Sequence, residues 1–134
     1  MVSLLPLSKL KPLTPPAKLA AVQAGKQAEQ QALTYLQQQG LILLERNFRC
    51  KVGELDLIMQ QDVVVAFIEV KYRHTAEYGG ALMSLSARQQ QRIIKAASYY
   101  LMRYAPHAQA RFDVIAIDGD SDLQWLPNAF TTDF

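Results

Sequence analysis

The feature that most constrains this chain is the run VVVAFIEV at residues 63–70. Side chains alternate across a β-strand. Here both alternating sets are apolar: Val63, Val65 and Phe67 on one side, Val64, Ala66, Ile68 and Val70 on the other. A strand with two apolar faces is stable only when both are covered. The chain must therefore place this run centrally in a sheet with a layer on each side. Glu69 and Lys71 then share a face at its end, where charge needs a reason to be.

The flanking segments supply the rest of an α/β architecture. VGELDLIMQ precedes the run, and a short polar turn near Gln61 and Asp62 makes the two an antiparallel hairpin. LILLERNFRC is a further strand before them. Upstream, PPAKLAAVQAGKQAEQQALTYLQQQG reads as a helix, with prolines in its first turn and Gly40 as its stop. Leu19, Val22, Ala28, Ala32, Leu33 and Leu36 fall near a 3.6-residue period and form its expected buried stripe. Gly25 weakens that helix by up to about 1 kcal/mol relative to Ala, which predicts a close packing contact or a ligand near the backbone.

Downstream, Ser86 caps a helix running to about Tyr104, with Ile93, Ala97, Tyr100, Leu101 and Tyr104 as its stripe and Pro106 as its end. ARFDVIAID is another buried strand, so strand, helix and strand form a right-handed crossover to a parallel neighbour. LQWLP reads as a short edge strand, with Trp125 covering the sheet edge. The expected class is α/β, a mixed β-sheet flanked by helices. The expected organisation is a mobile tail over residues 1–14 and a single domain over 15–134.

Charge is informative through its distribution. Fourteen Lys and Arg against twelve Asp and Glu give a net charge of +2, too small to argue for a polyanionic partner. Yet Arg88, Arg92, Lys95, Arg103 and Arg111 follow one another with no acid between them, and five aspartates follow from Asp113 onward with no Lys or Arg. Two readings stand: a phosphate-facing patch, or a solvated helix face followed by an acidic tail. Cys50 is the only cysteine, which excludes an intrachain disulfide and suits a buried or half-buried position in a reducing compartment. No apolar run approaches the ~20 residues of a membrane span, and the proline-interrupted N-terminus is not a signal peptide. A cytoplasmic protein without a membrane partner is the expectation.

The acids in the hairpin carry the chemistry. Glu54 and Asp56 share a face of their strand, as Glu69 and Lys71 do of theirs. All four meet on one side if odd positions of one strand lie opposite even positions of the other, and a one-residue slip separates them. Carboxylates crowded at the end of a buried strand repel one another and lose hydration. A divalent cation such as Mg²⁺ or Mn²⁺, taking hard oxygen ligands, relieves both costs. The bland alternative is an exposed Glu–Lys pair worth ~0–1 kcal/mol. Spacing alone leaves both open.

GELDLI, FIEVKYR, the AA..Y helix and RFDVIAID resemble the YraN family of bacterial proteins, related to Holliday junction resolvases within the PD-(D/E)xK nuclease superfamily. The resemblance covers residues 25–119. It implies a restriction-endonuclease-like fold. It places Asp56, Glu69 and Lys71 at the superfamily's catalytic positions, with Asp56 and Glu69 as metal ligands. Glu29, in AGKQAE, matches the first-helix acid that often completes the site. The chain departs from the family pattern at Gln89, where many relatives have lysine, and at Ala28, where many have glycine.

Other side chains are weaker signals. Arg73 continues the face of Lys71 and, with Arg88 and Arg92, is a candidate for phosphate binding; an ordinary surface arginine fits equally. His74 and His107 lack metal-ligand spacing and read as exposed. Ser84 and Ser86 read as caps, not nucleophiles, and Gly79 and Gly80 as a flexible turn. Tyr72 and Tyr78 suit either base stacking or packing. The resulting expectation is a metal-dependent endonuclease acting on nucleic acid, with DNA, branched or structured, as substrate. The rivals are a binding module that has lost cleavage and a protein-interaction domain with a structural acidic cluster. Analogy with resolvases admits a homodimer.

Overall fold

The computed structural model describes residues 16–74, 85–119 and 122–132. The expected tail over 1–14, Tyr78, Gly79, Gly80 and Ser84 lie outside them. Seven elements follow in order: α1 (Pro16–Gln38), β1 (Ile42–Cys50), β2 (Gly53–Gln61), β3 (Val64–Arg73), α2 (Ala87–Tyr104), β4 (Gln109–Asp118) and β5 (Asp122–Phe130). The strands form one sheet in the order β1-β2-β3-β4-β5. β3 is central, as its two apolar faces require. It pairs antiparallel with β2 and parallel with β4, the connection passing through α2.

The helices cover opposite faces. On one, Ala28, Ala32, Leu33 and Leu36 of α1 pack on Leu57, Met59, Ala66, Ile68, Ile115 and Ile117. On the other, Ile93, Ile94, Ala96, Ala97 and Tyr100 of α2 pack on Phe48, Leu55, Ile58, Val65, Phe67 and Phe112. This is a restriction-endonuclease-like α/β arrangement. Among the described residues, no helix is long and apolar enough to cross a membrane.

Local signals set the boundaries. Gly40 adopts φ +93°, and the amides of Gly40 and Leu41 donate to the carbonyls of Gln37 and Leu36, closing α1 in a Schellman arrangement. Ser86 Oγ accepts from the Gln89 amide while the Gln89 side chain accepts from the Ser86 amide, a capping box that starts α2. Pro127 lies in β5, an edge strand, where a missing N–H is tolerated.

Several expectations change. Leu19 and Val22 are exposed, whereas Ala20, Ala21 and Ala24 of the same turns line a cavity with Val70 and Tyr72 of β3. A Cβ at Gly25 would meet nothing within 4 Å among the described residues, so of the two readings of Gly25 the close packing contact is not seen there, and Gly25 lines a cavity instead. Val63 is exposed in the turn, and β3 begins one residue later. Tyr104 is also exposed, at the last turn of α2. Asp113 does not belong to an acidic tail: it is fully buried. Arg111 binds it with two N–H groups at 2.8 and 2.9 Å, and Trp125 Nε1 and the Asn128 amide donate to it at 3.1 and 2.9 Å. Arg111 is thereby committed to the interior and to Gln61 Oε1 at 2.7 Å, not to a surface patch.

Candidate active site

The site begins at a kink. In a regular strand residues two apart share a face, but Phe48 packs on the α2 side while Arg46 reaches Gln30 of α1. Likewise Leu55 packs on the α2 side and Leu57 on the α1 side. Both strands of the β1–β2 ribbon therefore exchange faces at the level of Asn47 and Asp56. Asn47 takes φ +54°, a left-handed conformation that Asn tolerates better than most residues. Beyond the kink the ribbon curls over α2. Gly53 permits that approach, since a Cβ there would lie 3.1 Å from the Arg92 carbonyl oxygen.

The kink also parts β2 from β3. Their pairing runs from Gln61↔Val64 to Leu57↔Ile68. This register sets odd positions of one strand against even positions of the other, so extending it puts Asp56 opposite Glu69. The Val70 amide, lacking a backbone partner across the seam, donates to Asp56 Oδ2 at 2.8 Å. The interruption of a sheet by an aspartate is thus a replacement of one ladder hydrogen bond by a side chain.

Asp56 and Glu69 stand close enough to share a proton. Burial raises the Glu69 carboxyl from 4.5 to about 8; the Asp56 charge adds to the rise and Lys71 opposes it. Burial also raises Asp56, opposed by the Val70 amide and by the hydrogen bond from Glu69. Near neutral pH the pair therefore keeps a proton between its two carboxyls. Lys71 Nζ lies 3.8 Å from Glu69 Oε1, both side chains being less than one-fifth exposed. It balances the remaining charge of the pair. A cavity of ≈ 130 Å³ adjoins the pair, lined by Glu54, Asp56, Glu69, Gln89, Arg92 and Ile93.

Glu29 approaches from α1, with the Asn47 side chain hydrogen-bonded to it. Burial raises its carboxyl, and the charge of Asp56 raises it further. Among the described residues, no three His, Cys, Asp or Glu side chains converge tightly enough to hold one metal ion. The direct donor set is the Asp56–Glu69 pair. It fits a hard cation that keeps most of its waters, since Mg²⁺ is commonly held by one or two carboxylates together with substrate phosphate. Displacing the shared proton with such a cation would also offset the desolvation that raises both carboxyls.

The remaining candidates are distributed around this centre. Arg92 lines the cavity, Arg88 lies one turn earlier on exposed α2, and Arg73 is exposed at the end of β3. Tyr72 points the other way, into the α1-side core, away from Glu69 and Lys71. His74 and His107 are exposed. Sequence reasoning missed Asn47 and the Val70 amide. An Asn inside a strand pattern was the available signal for the first; the second is a backbone group and leaves no trace in composition.

A five-stranded mixed sheet with one helix layer per face, opened at its centre by a carboxylate pair, defines the class: a restriction-endonuclease-like α/β domain. Residues 28–117 match the uncharacterised protein family UPF0102, the YraN family, and the chain belongs to it. It is 54% identical over 106 residues to a UPF0102 protein of Janthinobacterium sp. (strain Marseille), covering 79% of this chain and 85% of that one. It is 54% identical over 106 residues to one from Shewanella loihica, covering 79% and 92%. A UPF0102 protein of Pseudomonas fluorescens is 52% identical over 112 residues, covering 81% and 93%.

Proposed function

We propose that this protein is a metal-dependent endonuclease-like hydrolase of DNA phosphodiester bonds, acting on branched or structured DNA. The observation that carries the reading is the largely buried Asp56–Glu69 pair at the opened seam, with the Val70 amide 2.8 Å from Asp56 Oδ2 and Lys71 Nζ 3.8 Å from Glu69 Oε1. Such a buried carboxylate pair beside a cation costs stability unless it serves a ligand. Mg²⁺ or Mn²⁺, when bound, supplies a Lewis acid for a phosphoryl oxygen and a bound water of lowered pKa. Asp56 and Glu69 would hold the ion, and Glu29 would bind it directly or through water. Lys71 stabilises charge on the attacking oxygen or on phosphorus. Arg73, Arg88 and Arg92 bind neighbouring phosphates. A homodimer would offer two such sites to the two equivalent strands of a junction.

A second reading, a nucleic-acid-binding module without cleavage, is favoured by the lack of a third directly converging acid among the described residues. One screen separates them: linear, flapped and four-way DNA with Mg²⁺ or Mn²⁺, with Glu69→Ala as control. The proposal expects cleavage of at least one substrate by the parent and none by Glu69→Ala. DNA binding with no cleavage of any substrate selects the second reading.

A further inference from the structure

Beyond the acid pair, the kinked ribbon builds a second groove. It is lined by Arg49, Lys51, Glu54 and Arg92 with the backbone of the β1–β2 turn, and it shares Glu54 and Arg92 with the cavity beside Asp56 and Glu69. The two therefore adjoin at Glu54 and Arg92. Gly53, tightly packed on the Arg92 carbonyl, fixes the turn against α2 and so fixes the groove. Arg88 and Lys95 flank Arg92 at helical spacing on exposed α2, which carries no acidic residue. Glu54 is the single acid among the described residues lining the groove, and Arg49 lies 3.4 Å from it, both side chains largely exposed. Gly53 stands three strand positions from Asp56, about 10 Å along the strand.

We infer that the groove at the β1–β2 turn carries the DNA backbone on one side of the Asp56–Glu69 pair, with Lys51 and Arg92 as phosphate contacts and Glu54 holding Arg49 in check. This rests on the nucleic-acid reading above and adds to it a direction of approach and a negative element. Removing the Glu54 charge frees Arg49 and takes a repulsive group out of the path of the phosphates.

The test is binding of a fluorescein-labelled four-way DNA junction, followed by anisotropy in EDTA from about 50 to about 300 mM salt. Lys51→Ala and Arg92→Ala should each weaken binding several-fold and lower the log–log salt slope by about one, and the double variant by about two. Glu54→Gln should tighten binding. Arg103→Ala, about 16 Å farther along α2, should leave it near the parent value. Melting curves check that each variant folds. Should the double variant keep the parent slope while the parent binds, or should Glu54→Gln bind no tighter, the groove assignment is overturned and the cleavage reading is untouched. Failure of the parent to bind DNA at all overturns both. Binding that follows this pattern without cleavage in the Mg²⁺ screen upholds the groove and overturns the nuclease.

Discussion

The Val70 amide donates to Asp56 Oδ2 at 2.8 Å, in the place a backbone carbonyl of β2 would have filled had the ribbon not kinked. This bond fixes one oxygen of Asp56 in the seam and holds the carboxyl beside Glu69. A candidate ligand is thus positioned by the opening that makes room for it.

The pair should make stability fall as pH rises. Between 4.5 and about 8 the folded chain keeps a proton on Glu69 that the unfolded chain has lost. Where the native state binds more protons, stability declines with pH. Below that window both states are protonated, and above it both are ionised with the cost fully expressed. The decline should be on the order of a few kcal/mol. Urea denaturation in metal-free buffer at about pH 4.5 and about pH 8.5 measures it, and Glu69→Gln should remove most of the slope. A parent protein whose stability is flat or rising across the window would refute the shared proton.

Asp56→Asn should leave the metal-free fold intact or slightly stabilised. The amide oxygen can still accept from Val70, while its NH₂ donates to Glu69 and removes the like charge. The same change should abolish stabilisation by Mn²⁺, which in the parent follows RT ln(1 + [L]/Kd). Melting with and without Mn²⁺ checks both halves. A variant that still shifts with Mn²⁺ as the parent does excludes Asp56 as a ligand.

Lys71→Ala should keep most DNA affinity and lose cleavage by roughly 10²-fold or more, the scale of one well-placed electrostatic donor acting in the transition state. Single-turnover rates beside anisotropy measurements separate the two effects. Cleavage at the parent rate would end the role given to Lys71.

Away from the site, Asp113→Ala should be the severe variant. It leaves the half-buried Arg111 without its partner and removes the acceptor of Trp125 Nε1 and the Asn128 amide. Breaking a buried pair by deleting one partner typically costs about 3–5 kcal/mol. Gly25→Ala should act oppositely, stabilising by about 0.4–1 kcal/mol, because the helical backbone accepts Ala and the new Cβ meets no atom within 4 Å. Urea denaturation of the two variants tests the pair of signs.

The two-sided apolar run determined most of the fold. A strand that is apolar on both faces has to be central and covered twice, so β3 lies in the middle of five strands with α1 and α2 on opposite sides. Ser86 and Gly40 likewise signalled helix ends, because caps depend on local backbone geometry. The meeting of Asp56 with Glu69 was conditional in the sequence. Period-two spacing assigns each acid a face of its own strand but says nothing of register, and only the pairing of Leu57 with Ile68 brings them together. The burial of Asp113 and the openness at Gly25 were also decided in three dimensions, by partners distant in the chain. So was the kink at Asn47, which exchanges the faces of two strands and breaks the alternation on which strand reading depends. Local sequence dictates what each segment can bury, whereas charge burial and site geometry are set by whichever neighbours the closed sheet supplies.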